Sequence, residues 1–129
     1  MKPKRILIVD DEISITQLLT LNLEKTGQYV VRAENAGAGV CEAAREFKPD
    51  LILLDVMLPD IDGGLVAAQL QSDRRLKKVP IVFLTAAVKK EEVEARQGLI
   101  GGLPFIAKPV NVKDVISSIE KNLIAQPLN

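Results

Sequence analysis

The sequence predicts an α/β fold, a parallel sheet covered by helices on both faces. Two observations carry this. Five short apolar runs, residues 6–9, 29–31, 51–54, 81–84 and 103–106, recur along 129 residues and alternate with stretches of helical spacing. Runs such as LILL and IVFL have no polar alternation, which suits strands buried on both faces.

The elements follow in order. The first run ends abruptly on Asp10, Asp11 and Glu12, an acidic rim on an apolar strand that calls for a compensating charge. Ile15, Leu18, Leu19 and Leu23 then mark the inner face of a first helix, which Gly27 stops. The second run is 29–31, and a second helix ends ahead of Pro49. The third run meets Asp55. After it DIDGG, residues 60–64, reads as a tight turn in which Asp62 and Gly63 suit positive φ, with Val66, Ala67 and Leu70 facing inward from a third helix. Pro80 precedes the fourth run, which ends on Thr85. A fourth helix follows, its end crowded by Gly98, Gly101 and Gly102. The fifth run leads to Lys108. Asn111 is placed to cap a fifth helix with Val112, Val115, Ile116, Ile119 and Leu123 inward.

A chain of this length fits one domain, expected over residues 1–125 with a short tail at 126–129. A hydrophobic fraction of 47% with 26% charged residues is ordinary for a soluble globular protein. No apolar run approaches the ~18 residues of a membrane span, and no signal peptide is visible, so the cytoplasm is the expected location. Seventeen basic residues balance seventeen acidic ones, which gives no general attraction to nucleic acid or an anionic membrane, and Arg74, Arg75, Lys77 and Lys78 read as a solvated loop. The single cysteine, Cys41, excludes an internal disulfide and reads as a small packing residue. There is no histidine, which removes imidazole triads and histidine-bound metals and leaves chemistry to carboxylates, lysines and hydroxyls.

In an open α/β sheet ligands bind beyond the carboxyl ends of the strands. The residues there are Asp10 and Asp11 after the first run, Asp55 after the third, Thr85 after the fourth and Lys108 after the fifth. Converging carboxylates repel unless a cation sits among them, and hard oxygen donors point to magnesium. Lys108 offers a compact positive charge and Thr85 a hydroxyl donor for phosphoryl oxygens, so the set suits phosphoryl transfer to a carboxylate.

The segments VDDE, LLDVMLPDIDG, LTA and KP, in this order and spacing, resemble the receiver domain of two-component response regulators over essentially the whole chain. The resemblance implies a flavodoxin-like, doubly wound five-stranded parallel sheet of order 2-1-3-4-5 with five helices. It implies Asp55 as phosphoacceptor, and magnesium held by Asp10 or Asp11, Asp55 and the backbone carbonyl of Met57. Lys108 would bind the phosphoryl group, aimed by a cis bond to Pro109. The implied partners are a histidine kinase or phosphotransfer protein and a downstream target or output domain. The implied role is a signalling module, not a metabolic enzyme, that catalyses only its own phosphorylation and dephosphorylation.

The chain departs from the usual pattern at Gly64, where a bulky apolar residue is normal and whose absence should loosen the start of the third helix. Leu103-Pro104 replaces a pair that is usually polar. Three other readings compete. A haloacid-dehalogenase-like phosphatase needs a second acid two residues after the nucleophile, where Met57 stands. A receiver-like binder that takes no phosphate is at odds with the intact five-residue set. A flavin carrier lacks the phosphate-cradling loop after the first strand.

Two expectations concern behaviour. Phosphorylation should draw the Thr85 hydroxyl toward the site and let Phe105 turn inward, which makes the fourth helix, fifth strand and fifth helix the output face, with Leu103 and Pro104 as apolar contacts for a partner or a second copy. In receivers the side chains two after the phosphoacceptor and two after the threonine flank the path of hydrolytic water. Met57 and Ala87 occupy those positions, and neither orients water strongly, so slow self-dephosphorylation is expected.

Overall fold

A computed structural model of the chain describes residues 2–86, 99, 100 and 102–124. In chain order the elements are β1 (Lys4–Val9), α1 (Ile13–Lys25), β2 (Tyr29–Glu34), α2 (Val40–Phe47), β3 (Leu51–Asp55), α3 (Gly63–Ser72), β4 (Ile81–Thr85), β5 (Leu99–Ile100), β6 (Leu103–Ala107) and α4 (Val112–Ile124). The sheet order is β2-β1-β3-β4-β6-β5. Its first five strands are parallel and reproduce the expected 2-1-3-4-5 order, with β6 as the expected fifth strand.

Two counts differ from expectation. A sixth, two-residue strand, β5, pairs antiparallel with the start of β6, Leu99 opposite Pro104 and Ile100 opposite Leu103. Gly102, at φ +84°, supplies the left-handed residue of this reversal, so it serves a hairpin and not a helix end. The described residues contain four helices. The stretch expected to form another, together with Gly98 and Gly101, lies outside them, and α4 is the helix expected as the fifth.

Strand residues alternate between two cores. Leu7, Val9, Ile52, Leu54, Phe83 and Phe105 face α2 and α3, where they meet Val40, Ala44, Phe47, Val66, Ala67 and Leu70. Ile6, Ile8, Leu51, Leu53, Val82 and Leu84 face α1 and α4, where they meet Leu19, Leu23, Val115 and Ile119. Burying each such side chain contributes about 1.5–3 kcal/mol, and this doubly covered sheet is what the unalternated apolar runs encode. The inner stripe of α1 is Thr16, Leu19 and Leu23. Leu18, expected inside, is exposed, because it lies one residue off that i, i+3, i+7 stripe.

Helix ends follow local chemistry. Thr26 and Gly27 close α1 by donating backbone N–H groups to the carbonyls of Leu23 and Glu24. Lys48 takes the left-handed C-cap of α2 at φ 55°, directly ahead of Pro49. Asn111 caps α4, its Oδ1 accepting the Lys113 N–H at 2.8 Å.

The turn after β3 corrects another expectation. Asp62 is extended, φ −60° and ψ 131°, and Gly63 is not among the residues at positive φ. Asp62 instead caps α3, accepting the Gly64 N–H at 2.7 Å, so the helix start is fixed despite Gly64. Gly63 is required by proximity: a Cβ there would overlap the Asp55 carbonyl oxygen and lie 2.6 Å from Val56 Cα. The Gly63 N–H donates to the Val56 carbonyl at 2.8 Å, locking the loop against the end of β3. Asp60 ties that loop to the one after β2, accepting the N–H groups of Gly37 and Ala38 at 2.9 Å each. These bonds from Gly37 and Ala38 hold its carboxyl below the usual carboxylate range.

Gly63→Ala is expected to lower the unfolding free energy by about 1–3 kcal/mol, the range for overpacking, with a much smaller effect for Gly64→Ala, whose Cβ meets only the Asp62 side chain. Urea denaturation of both variants checks this, and equal midpoints would contradict it. For Asp60 the folded pKa is the lower one, so its contribution is present above the unfolded value of about 3.9 and is lost as pH falls through that value toward the folded one. The wild-type advantage over Asp60→Asn should therefore shrink between about pH 5 and pH 3. Parallel stability curves would count against it.

Candidate phosphoacceptor and metal site

The carboxyl ends of β1, β3, β4 and β6 bring Asp10, Asp55, Thr85 and Lys108 to one edge. Asp10 follows the last residue of β1 and is 0% exposed; Asp55 ends β3 at 3% and Thr85 ends β4 fully buried. The register puts Asp55 beside Leu84, and the Lys108 N–H donates to the Thr85 carbonyl at 2.7 Å. That bond carries the β4–β6 pairing one residue beyond the strands and fixes where the lysine side chain begins. The Lys108–Pro109 peptide is cis.

Lys108 reaches back across the edge to three carboxylates. Its Nζ lies 2.8 Å from Asp10 Oδ2, 3.0 Å from Glu12 Oε1 and 3.1 Å from Asp55 Oδ2. Burial alone would lower the ammonium's pKa, but the carboxylates of Asp10, Glu12 and Asp55 beside it outweigh burial and the pKa is raised. The lysine is thus held charged. Burial raises the Asp55 pKa, against the lowering effect of the Met57 N–H and of Lys108.

The backbone arranges the other carboxylate oxygens. The Met57 N–H donates to Asp55 Oδ1 at 2.9 Å, and the Glu12 N–H to Asp10 Oδ1 at 2.9 Å. Each acid therefore bonds backbone two residues on, which leaves both Oδ2 atoms turned to Lys108. The contact of Asp10 Oδ2 with the ammonium is one of charge, outside hydrogen-bonding geometry, so this buried oxygen has no aligned donor. Asp11 is exposed, yet its carboxylate lies with those of Asp10 and Asp55 inside a sphere where ligand oxygens are within 4.8 Å of one another. An all-oxygen cluster in which one buried carboxylate oxygen has an ion-pair contact but no aligned donor fits a hard divalent cation.

Other expected residues fall variously. Met57 stands at the rim, 62% exposed, its backbone bridged to Asp62 across the loop. Phe105, expected to turn inward on phosphorylation, already lies inward, buried in the core beside Phe83. Leu103 and Pro104 are only half-exposed, Leu103 packing against that same core, because β5 lies along them. Ala87 lies outside the described residues.

Two residues join the site without having been singled out as part of it. Glu12 is a partner of Lys108 from a position 96 residues away. Asn35, just past β2, donates its Nδ2 to the Asp10 carbonyl at 2.8 Å and to Thr16 Oγ1 at 3.2 Å, bracing the β1–α1 turn. Asn35 sits at the same carboxyl edge, beyond the one strand end from which no residue was taken, and its position there was the available signal.

Comparison with known proteins agrees with this geometry. Residues 6–120 match the family model of the response regulator receiver domain. The chain is 42% identical over 118 residues to the alkaline phosphatase synthesis transcriptional regulatory protein PhoP of Bacillus subtilis, a match covering 91% of this chain and 47% of PhoP. The chain thus spans about half the length of that relative. It is 36% identical over 122 residues to the polar-differentiation response regulator DivK of Brucella anthropi, covering 94% of this chain and 97% of DivK. A crystal structure described as a response regulator from Chloroflexus aurantiacus superposes with a TM-score of 0.80 at 29% identity, covering 95% of this chain and 99% of that one. With a family match over most of its length and the acidic edge, lysine and threonine standing together in the fold, the chain belongs to the response regulator receiver domains of two-component signalling.

Proposed function

We propose that the chain is a phosphorylation-controlled switch in which Asp55 accepts a phosphoryl group from the phosphohistidine of a kinase or phosphotransfer protein, or from a small acyl phosphate. The observation that carries this is Asp55 itself, nearly fully buried at a strand end, with Lys108 Nζ 3.1 Å from its Oδ2 and two further aspartates beside it. In the transfer a carboxylate oxygen of Asp55 forms a bond to phosphorus as the bond from phosphorus to the donor atom breaks. Lys108, held charged, neutralises the developing charge on the phosphoryl oxygens, and the Thr85 hydroxyl is at the same edge to donate to one of them. The Met57 N–H holds Asp55 in one orientation while it reacts. Magnesium, held by Asp10 or Asp11, Asp55 and the Met57 carbonyl, would supply the charge neutralisation that lets an anionic donor approach this acidic edge.

The output of the switch runs through β6, α4 and the expected fourth helix outside the described residues, to a downstream protein, an output domain or a second copy. Phe105 couples this face to the site through its neighbour in the sheet, β4, which ends on Thr85. No helix among the described residues is long and apolar enough to cross a membrane, in keeping with a partner-docking module.

Intact-mass measurement after incubation with acetyl phosphate and magnesium should show one phosphate on the wild type and none on Asp55→Asn. Equal uptake by both would remove Asp55 from the role. Once formed, the acyl phosphate should decay slowly, since Met57 offers water only a weakly accepting thioether. The double variant Met57→Asn/Ala87→Glu should lose phosphate faster, by a factor of ~10–100, the lower range for a positioned polar group. An unchanged or slower decay would show that water positioning does not limit the lifetime.

A further inference from the structure

Lys108 has three N–H donors and three carboxylates around them, but only two of those acids belong to the candidate metal cluster. Asp10 and Asp55 each face both the ammonium and the space shared with Asp11. A cation entering among the aspartates draws on two carboxylates that Lys108 also holds, and the lysine side chain, only 9% exposed, cannot simply retreat into water. Glu12 stands apart. Its side chain is 54% exposed, it is not among the clustered aspartates, and its Oε1 is 3.0 Å from Nζ.

From this we infer that Glu12 is a positioning residue for metal binding: it holds the Lys108 ammonium when a cation takes Asp10, so the buried lysine keeps a partner and the metal displaces it more easily. Glu12 itself ligates nothing in this scheme. Its backbone is already committed, with the N–H donating to Asp10 Oδ1 and the carbonyl accepting from Ile15 and Thr16 at the start of α1, so the side chain is left for the lysine alone. The inference rests on the magnesium site proposed above.

A double-mutant cycle on magnesium affinity tests it, using magnesium chloride alone as titrant and calorimetry or amide chemical shifts as readout, on wild type, Glu12→Gln, Lys108→Met and the double variant. Glu12→Gln replaces an exposed side chain with an isostere; Lys108→Met fills a similar volume but leaves two buried acids without their ammonium, so Lys108→Gln, which keeps a hydrogen-bond donor for them, serves as a second lysine-free background. Removing an acid near a cation weakens affinity by simple charge in any background. The positioning role adds to this only where the lysine is present: Glu12→Gln should weaken magnesium binding about two- to fivefold more with Lys108 in place than in the Lys108→Met background, the range of a half-exposed ion pair. Partial recovery with Glu12→Asp is expected. Equal effects in both backgrounds would overturn the inference and leave the metal site standing, whereas a wild type that binds no magnesium would overturn both.

Discussion

The structure turns on the confinement of negative charge at one edge of an apolar sheet. Asp10 and Asp55 are buried where β1 and β3 end, and the Lys108 ammonium bridges the two carboxylates there, offsetting the cost of burying them. The lysine is held in place by the last backbone bond between β4 and β6, which transmits the register of the sheet directly to the side chain that neutralises the site. Sheet geometry and site electrostatics are for this reason one arrangement. A slip in β6 would move the only ammonium found against the two buried acids among the described residues.

The loops behind that edge are drawn tight by short polar contacts. Asp60 holds the β2–α2 and β3–α3 connections together, Asp62 caps α3, and Gly63 lets that helix approach the Asp55 carbonyl. Each acts on the segment that follows Asp55 and includes Met57. The result is a closely tied surround for the proposed phosphoacceptor, consistent with the need for catalytic groups to be held by their neighbours.

Much of this was legible in the sequence, and the gaps have a common cause. Asp10, Asp55, Thr85 and Lys108 could be placed because each stands directly after an apolar run, and strand ends in an α/β sheet share an edge. The parallel sheet and its two covered faces followed from the same runs, whereas the strand order came from the resemblance to receiver domains. What could not be read were contacts between segments distant along the chain. The tie of Glu12 to Lys108 spans 96 residues, and that of Asn35 to the Asp10 carbonyl spans 25. Gly63 looked like a residue chosen for its backbone freedom, whereas the space available to it decides the matter. Leu18 fell outside the inner stripe of α1 because a buried threonine, Thr16, occupies the face in its place, and a hydroxyl bonded back to the Ile13 carbonyl is as compatible with that position as a hydrocarbon. The hairpin at Gly102 was hidden for a similar reason, since a two-residue strand has no periodicity to detect.

That hairpin bears on how the protein meets its neighbours. A sheet edge normally invites another chain to add itself through backbone hydrogen bonds, and this sheet has two such edges. At one, β5 already occupies the start of β6, and Pro104 lacks an N–H to offer. At the other, β2 carries Arg32 paired with Glu34 and Glu46, a charged fringe ill suited to lateral stacking. Along β2 and the start of β6 strand addition is thus discouraged, which counts against edge-to-edge growth of a chain of zero net charge at those positions. Recognition is thereby left to side chains on helices and loops, and these can be altered one at a time to retune partner choice while the sheet that carries the site remains untouched.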